Sequence, residues 1–471
     1  MTITSALTAS RMGLDSIGVR AEVTSNNISN ADRPGYVRRG VDLTSGTNGN
    51  GVRATGVTRQ VDSVLQGRQR SETSAGSYHE RMASGLSIYT AQLGAPGEPG
   101  TLPDRVAALQ TELDLLTVDP GARNVQAGVL RRAQDLVAGL NSAHRALGDA
   151  TARAEAAIGS EVASVNALTA EIAELNTYIA SASAGSVERA DLMDQRDMAI
   201  DKLSQHVDLR VISRGEGTVD VMTGNGASLI EGSRAHPLDY DRASGTLTAG
   251  GVDITPGRPG GRGLTSGALA AEITLLTDRL PQMGDQLDEL ARAMVTTFED
   301  ADASLGPGQA GLFTDAGSAF DPTAQEGLAG RIAVNTAVDP EQGGDLWRLR
   351  DGVGAAVPGD SADGTQVLDF VAALGARQGF DPARGLGDSM TVSEYAANLL
   401  SGQNAEVSAA ERKGAAADTA ARAIANQRSA TEGVNVDTEI QTLLQIEQAF
   451  AANSQVIAAL NRMMDDLLEA F

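Results

Sequence analysis

The chain has 471 residues, with 61 acidic against 37 basic side chains for a formal charge of −24, only 3% aromatics and no cysteine. That length accommodates two to four domains of ~150 residues. The acidity argues against nucleic-acid binding, which needs a basic patch, and the lack of cysteine excludes disulfide scaffolds, thiolate metal sites and thiol nucleophiles.

The N-terminus lacks the basic start and continuous apolar run of a cleaved signal peptide, and no stretch of ~18 apolar residues marks a membrane span. Instead Ile3, Leu7, Ser10, Leu14, Ile17, Ala21, Thr24 and Ile28 alternate steps of four and three. This is a heptad seam with small or polar residues at half of its positions, so it needs a complementary partner. It runs into SNNISNADRPGYVRR (25–39), where Asn26, Asn27 and Asn30 are poor helix formers at a helix end. Asparagine capping and the stop imposed by Pro34 explain part of that pattern.

Ala-rich helical stretches follow at 103–118 and 123–183, divided by Pro120-Gly121, with a further helix at about 187–205. In ADLMDQRDMAIDKL (190–203), Asp191, Asp194 and Asp197 share a helical face beside Arg196 and Lys202. Helical charge pairing and capping explain such spacing better than metal or acid–base chemistry. Residues 206–263 read as a β-meander: Val207, Leu209 and Val211 alternate, and Asn225-Gly226, Ser244-Gly245 and Gly250-Gly251 mark turns. A helix at 265–300 carries Ile273, Leu276, Leu280, Met283, Leu287 and Leu290 on one face. Residues 301–385 are rich in Gly and Asp and read as an irregular or β-containing outer insertion. Helix resumes at about 391–430.

The C-terminal helix repeats the heptad stepping more strongly, through Leu443, Ile446, Phe450, Asn453, Ile457, Leu460, Met464, Leu467 and Phe471. Asn453 is its one polar layer and suits a register-setting role. Residues 1–40 hold five Arg and three Asp/Glu, whereas 431–471 hold one Arg and seven Asp/Glu. Complementary charge and matching periodicity predict that the chain doubles back and pairs its ends. The expected fold is mainly α with β-rich insertions, elongated and multidomain. Its parts are a terminal coiled-coil domain (1–45 and 431–471), a long-helix middle domain (46–205, 264–300 and 386–430), the β insertion (206–263) and the outer insertion (301–385).

Catalytic signals are missing. Four scattered histidines have no ligand spacing, His79-Glu80 fails the HExxH pattern at Ala83, and no phosphate-binding loop occurs. No enzyme activity, cofactor or metal is expected.

The run Ser25, Asn26, Asn27, Ile28, Ser29, Asn30, Ala31, Pro34, Gly35 and Tyr36 closely resembles the N-terminal signature of the bacterial flagellar axial proteins, the rod, hook and hook-associated family. Arg33 stands where that family usually has Thr. At the other end, Gly433, Val434, Asn435, Asp437, Glu439, Gln448, Ala449 and Phe450 match the family's C-terminal signature. DLMDQRDMAIDKLSQHVDLRV (191–211) resembles an internal stretch of the hook-associated branch, at the junction of hook and filament.

The resemblance implies a structural subunit of the flagellum, exported through the flagellar type III pathway without a cleaved signal and located outside the cell. It implies a ring of about eleven copies, with the hook protein and the second junction protein as neighbours and an export chaperone on the C-terminal segment. The implied assembly surface comprises Ile3, Leu7, Leu14, Ile17, Asn26, Asn27, Ile28, Asn30, Pro34, Gly35 and Tyr36, together with Leu443, Ile446, Phe450, Asn453, Ile457, Leu460, Met464 and Leu467. Another axial protein (hook, distal rod or second junction protein) is the alternative within the family, and a cytoplasmic coiled-coil scaffold the alternative outside it. Neither nucleic acid nor membrane is an expected partner.

Overall fold

The computed structural model describes residues 3–46, 51–258 and 261–469. The chain folds into two compact units, one built from 1–78, 160–270 and 414–471, the other from 79–159 and 271–413. The 46–205, 264–300 and 386–430 stretches expected to form one helical domain are therefore divided between two units. The chain is mainly α with small antiparallel sheets, as expected.

In the first unit, helix α1 (Ile3–Ser29) packs along α12 (Val436–Glu469). Between them in the chain lies a hairpin, β1 (Arg39–Ser45) and β2 (Val52–Arg59), pairing Arg39 with Arg59 and Ser45 with Val52. This is a correction: residues from 46 onward were expected to be helical. The strands also pack against α1. Helix α1 thus has two kinds of neighbour, and its buried residues are Ser16, Val23, Thr24 and Asn27. Of these only Thr24 belongs to the expected seam. Ile3, Leu7, Leu14, Ile17 and Ile28 are half-buried.

Helices α2 (Ser63–Leu93), α3 (Leu102–Val118), α4 (Arg123–Ser181) and α5 (Val187–His206) follow the hairpin. The Ser186 side chain accepts the Arg189 amide at 3.1 Å and starts α5. Beyond α5 come a four-stranded sheet of β3 (Arg210–Ser213), β4 (Val219–Met222), β5 (Ser228–Glu231) and β6 (Arg234–Ala235), then a three-stranded one of β7 (Leu238–Asp241), β8 (Thr246–Ala249) and β9 (Val252–Asp253). Two asparagines of α4 dock them by acting as surrogate strand backbone. Asn176 donates to the carbonyls of Val219 (2.8 Å) and Gly232 (2.7 Å), and Asn166 donates to the Leu238 carbonyl (2.9 Å) while accepting its amide (2.7 Å). Ile172, Ile179, Val221, Leu229 and Leu247 are fully buried, each burial contributing roughly 1.5–3 kcal/mol.

In the second unit, α6 (Ala268–Thr274) leads through a π-helical turn, Leu275–Arg279, into α7 (Leu280–Ala301). The extra residue of the π turn moves the apolar stripe, so Leu275 is buried and Leu276 only half-buried, contrary to the uninterrupted stepping expected. The segment after α7 is more ordered than expected. It holds the hairpin β10 (Phe313–Asp315) and β11 (Ile332–Val334), the single turns α8 (Leu328–Arg331) and α9 (Arg348–Asp351), and α10 (Thr365–Gly375). Phe298 of α7 anchors it, with the rings of Phe313 and Phe370 each 5.1 Å away. A last small hairpin, β12 (Gln378–Gly379) and β13 (Ser389–Met390), precedes α11 (Val392–Glu432), which continues into the first unit's residues.

Candidate functional site: the junction of the chain termini

The Asn-rich run is the point at which both ends of the chain meet the hairpin. Asn27 is still within α1 and almost wholly buried. Its Oδ1 accepts the Arg39 amide (3.1 Å) and the Tyr36 hydroxyl (3.0 Å), and its Nδ2 donates to the Arg39 carbonyl (2.9 Å) and to Glu439 Oε2 (3.2 Å). The capping explanation therefore fails for Asn27, which ties strand β1 to α1 and both to α12. It holds in part for Asn30, whose Nδ2 donates to the Asn26 carbonyl at 2.9 Å. Asn26 is half-buried, and Pro34 and Gly35 are exposed. Gly35 has φ of +77°, and a Cβ there would overlap Met198 Sδ. Both facts require glycine. Burial raises the Tyr36 hydroxyl pKa, against the opposing pull of Arg39, so this donor stays protonated.

The C-terminal signature is legible in the same terms. A Cβ on Gly433 would overlap the Ser429 carbonyl oxygen, whose bond from the Gly433 amide (3.0 Å) closes α11. Asn435 Oδ1 accepts the Thr438 amide (3.1 Å) and caps α12. The first turn of α12 then delivers Glu439, 2% exposed, to Arg38 Nε at 2.7 Å and to Asn27.

Behind the hairpin stands the acidic face of α5. Asp194 accepts from Arg39 Nη2 (3.1 Å) and Arg59 Nε (2.7 Å), Asp197 from Arg59 Nη2 (2.7 Å), and Asp191 from Arg39 Nη2. Asp201 accepts from Arg70 Nε at 2.6 Å, and Arg428 of α11 reaches both Asp201 (3.5 Å) and Glu432 (3.1 Å). Burial pushes the Asp197 carboxyl up, but Arg59, Arg196 and Arg70 outweigh it and hold it below the ordinary carboxylate range. Charge pairing was the expected role of this acidic face. Its main partners, however, are hairpin arginines more than 130 residues away, not neighbours on the helix. Guanidinium forks matched to carboxylates in a dry setting fix orientation; losing one partner strands a buried charge.

Along the helix pair, Asn453 donates to the Ser10 carbonyl at 3.0 Å, and Gly13 makes room for it: a Cβ there would lie 2.5 Å from Asn453 Nδ2. Ile446 is buried, and Leu443, Ile457 and Leu460 are half-buried. Phe450 and Met464 are 52% and 36% exposed, so α1 does not cover them. The Leu467 side chain lies outside the described residues. Ile440, Leu444, Val456 and Met463 extend the uncovered apolar surface of α12. Among the described residues no three His, Asp or Glu side chains are placed to hold a metal, and no helix is long and apolar enough to cross a membrane.

Residues 97–311 match the helical domain of flagellar hook-associated protein FlgK, and residues 425–470 match the C-terminal domain of the flagellar basal body rod FlgEFG proteins. Flagellar hook-associated protein 1 of Bacillus subtilis strain 168 is 23% identical over 508 residues, spanning 98% of this chain and 97% of that one. The chain is thus similar to flagellar hook-associated protein 1 along nearly its whole length. Another relative, flagellar hook-associated protein 1 of Salmonella typhimurium strain LT2, is 24% identical over 554 residues, covering 97% of this chain and 98% of its own. The flagellar hook junction protein FlgK of Burkholderia pseudomallei superposes with a TM-score of 0.43 and 23% identity, over 53% of this chain and 46% of that one. The junction at Asn27 and Glu439 thus ties the N-terminal Asn-rich run to the segment that matches the C-terminal domain of the rod proteins.

Proposed function

We propose that this chain is the structural subunit joining hook to filament in a bacterial flagellum and that its paired terminal helices are the assembling element. One observation supports this above the others. The α1–α12 pair is fixed internally by Asn27, Arg38 and Glu439, yet leaves Ile440, Leu444, Phe450, Val456 and Met463 of α12 exposed. A fixed pair that leaves large apolar side chains of α12 uncovered has surface left for further helices to bury. In this reading the other half comes from further copies, closing a ring of about eleven by family resemblance. The hook protein and the second junction protein sit at its two faces. The subunit leaves the cell through the flagellar export pathway, guided by a chaperone on α12, and works outside the cell without a cofactor or a catalysed reaction.

Deletion of the gene tests the reading. The expected result is cells with hooks but no filaments, shedding flagellin into the medium. Complementation with the wild-type chain restores filaments, and a Leu444→Asp/Phe450→Asp chain, folded as judged by its helical circular dichroism, does not. A deletion strain that keeps complete filaments would overturn the proposal.

A further inference from the structure

The second unit contains a concavity that no assembly role accounts for. The C-terminal end of α2 (Gln92, Leu93), the loop at Gly100, the start of α3 (Leu102, Arg105) and the middle of α4 (Ala138, Gly139, Ser142, Arg145) enclose about 230 Å³. Its lining includes two arginines and no carboxylate. Elsewhere Arg39, Arg59, Arg70, Arg292, Arg331 and Arg350 pair with Asp or Glu.

Arg105 is held in place without a counter-ion. Its Nε donates to the Gly100 carbonyl (3.0 Å) and its Nη1 to the Asp135 carbonyl (2.6 Å). Gly139 supplies the room, since a Cβ there would lie 2.9 Å from Arg105 Cδ. Those two carbonyls orient the guanidinium and leave Nη2 uncommitted. Arg145 spends only Nε, on the Asn141 carbonyl at 3.3 Å. The Gln92 amide and Ser142 hydroxyl complete a set of donors from three elements. The neighbouring acids are already engaged: Asp104 accepts from Thr101 at the start of α3, and Asp135 pairs with Arg132 at 3.5 Å.

We propose that this concavity binds a small oxyanion, a phosphate, sulfate or carboxylate group, between Arg105 and Arg145 with Ser142 and Gln92 as neutral donors. Two guanidiniums around one small space offer an oxyanion N–H donors from Arg105 Nη2 and from the Arg145 Nη atoms, and a guanidinium already oriented by two carbonyls loses little freedom on binding. Positive charge not spent on a carboxylate also favours an anion at this concavity. The site belongs to the second unit and does not depend on the flagellar reading.

Isothermal titration of the full chain with inorganic phosphate, and separately with succinate, tests it, with chloride adjusted to hold ionic strength constant. The expected result is saturable binding of at least one titrant, weakened roughly ten-fold or more by Arg145→Ala and by Ser142→Ala. Arg131→Ala, an exposed α4 arginine outside the lining, should leave it unchanged. Binding of phosphate alone assigns phosphoryl or sulfuryl groups as the ligand, binding of succinate alone assigns carboxylates, and binding of both assigns oxyanions generally. Arg105→Lys, which keeps the charge but loses the oriented Nη2 donor, should weaken binding while the melting temperature holds. No saturable heat with either titrant, or equal weakening by Arg131→Ala, would overturn the proposal.

Discussion

Replacing Asn27 by alanine removes four hydrogen bonds at once, and their consequences differ. Glu439 keeps Arg38, and the half-buried Tyr36 hydroxyl keeps access to water. The amide and carbonyl of Arg39 have no such recourse, because Arg39 is buried and both groups are committed to Asn27. Two orphaned backbone groups at about 1–2 kcal/mol each give a cost of ~2–4 kcal/mol. At a factor of ten per ~1.4 kcal/mol, amide exchange through opening of α1 and the hairpin should quicken by roughly 30- to 1,000-fold. Hydrogen–deuterium exchange read by mass spectrometry on the full chain measures this directly. Peptides of α1, β1 and the start of α12 should lose protection, while those of α7 and α10 keep it. Asn27→Asp should do the same, by setting a carboxylate against Glu439. Exchange in α1 and the hairpin unchanged within about three-fold, or equal acceleration in α7, would refute the reasoning.

Gly13→Ala should destabilise the terminal pair by about 1–3 kcal/mol through overpacking against Asn453, and Asn453→Ala in the same chain should recover most of that loss in a denaturant titration followed by exchange in α12. Gly35→Ala combines a left-handed backbone with a clash on Met198. Trimming Met198 to Ala should relieve only the clash, leaving about 1 kcal/mol from the backbone in the same assay. Acid should weaken the tie of Asp197 to the hairpin, whereas burial pushes the Asp194 carboxyl up, so Asp194 does not add to this acid sensitivity. Asp197 has its folded pKa depressed, so its contribution is full above the unfolded value of about 3.9 and is lost as pH falls through the lower folded value. Exchange in β2 measured from about pH 6 to about pH 2.5 should show that loss, and Asp197→Asn should flatten the profile while lowering protection at neutral pH.

How far the sequence foretold this molecule depends on what each element rests against. Helix α4, with Val165, Ile172 and Ile179 buried along one stripe, announces itself through periodicity. The β-meander does so through its turn residues. The hairpin does not, because along β1 only Arg39 is buried and no residue of β2 is, so neither strand carries an apolar alternation to read. Its stability comes from arginines whose carboxylate partners lie 135 to 155 positions further on. Periodicity carries no information about such pairings. The N-terminal seam was misplaced for a related reason: heptad stepping presumes one partner, and α1 serves both a helix and a hairpin. Asn27 illustrates the limit best. Its place at a helix end suggested a cap, and only the three-dimensional meeting of Arg39, Tyr36 and Glu439 reveals a four-way tie.

The bond between Arg38 and Glu439 joins positions 401 residues apart. Closing a loop of that length adds only slowly to the entropic cost, yet it sets an order of events. A chain delivered from its N-terminus carries Asn27, Arg38 and the hairpin as an open receptor until α12 arrives about 400 residues later. The terminal pair therefore closes only in a chain that extends past Glu439. A product truncated before residue 439 would retain the sequence of its second unit and lack the means to lock its first.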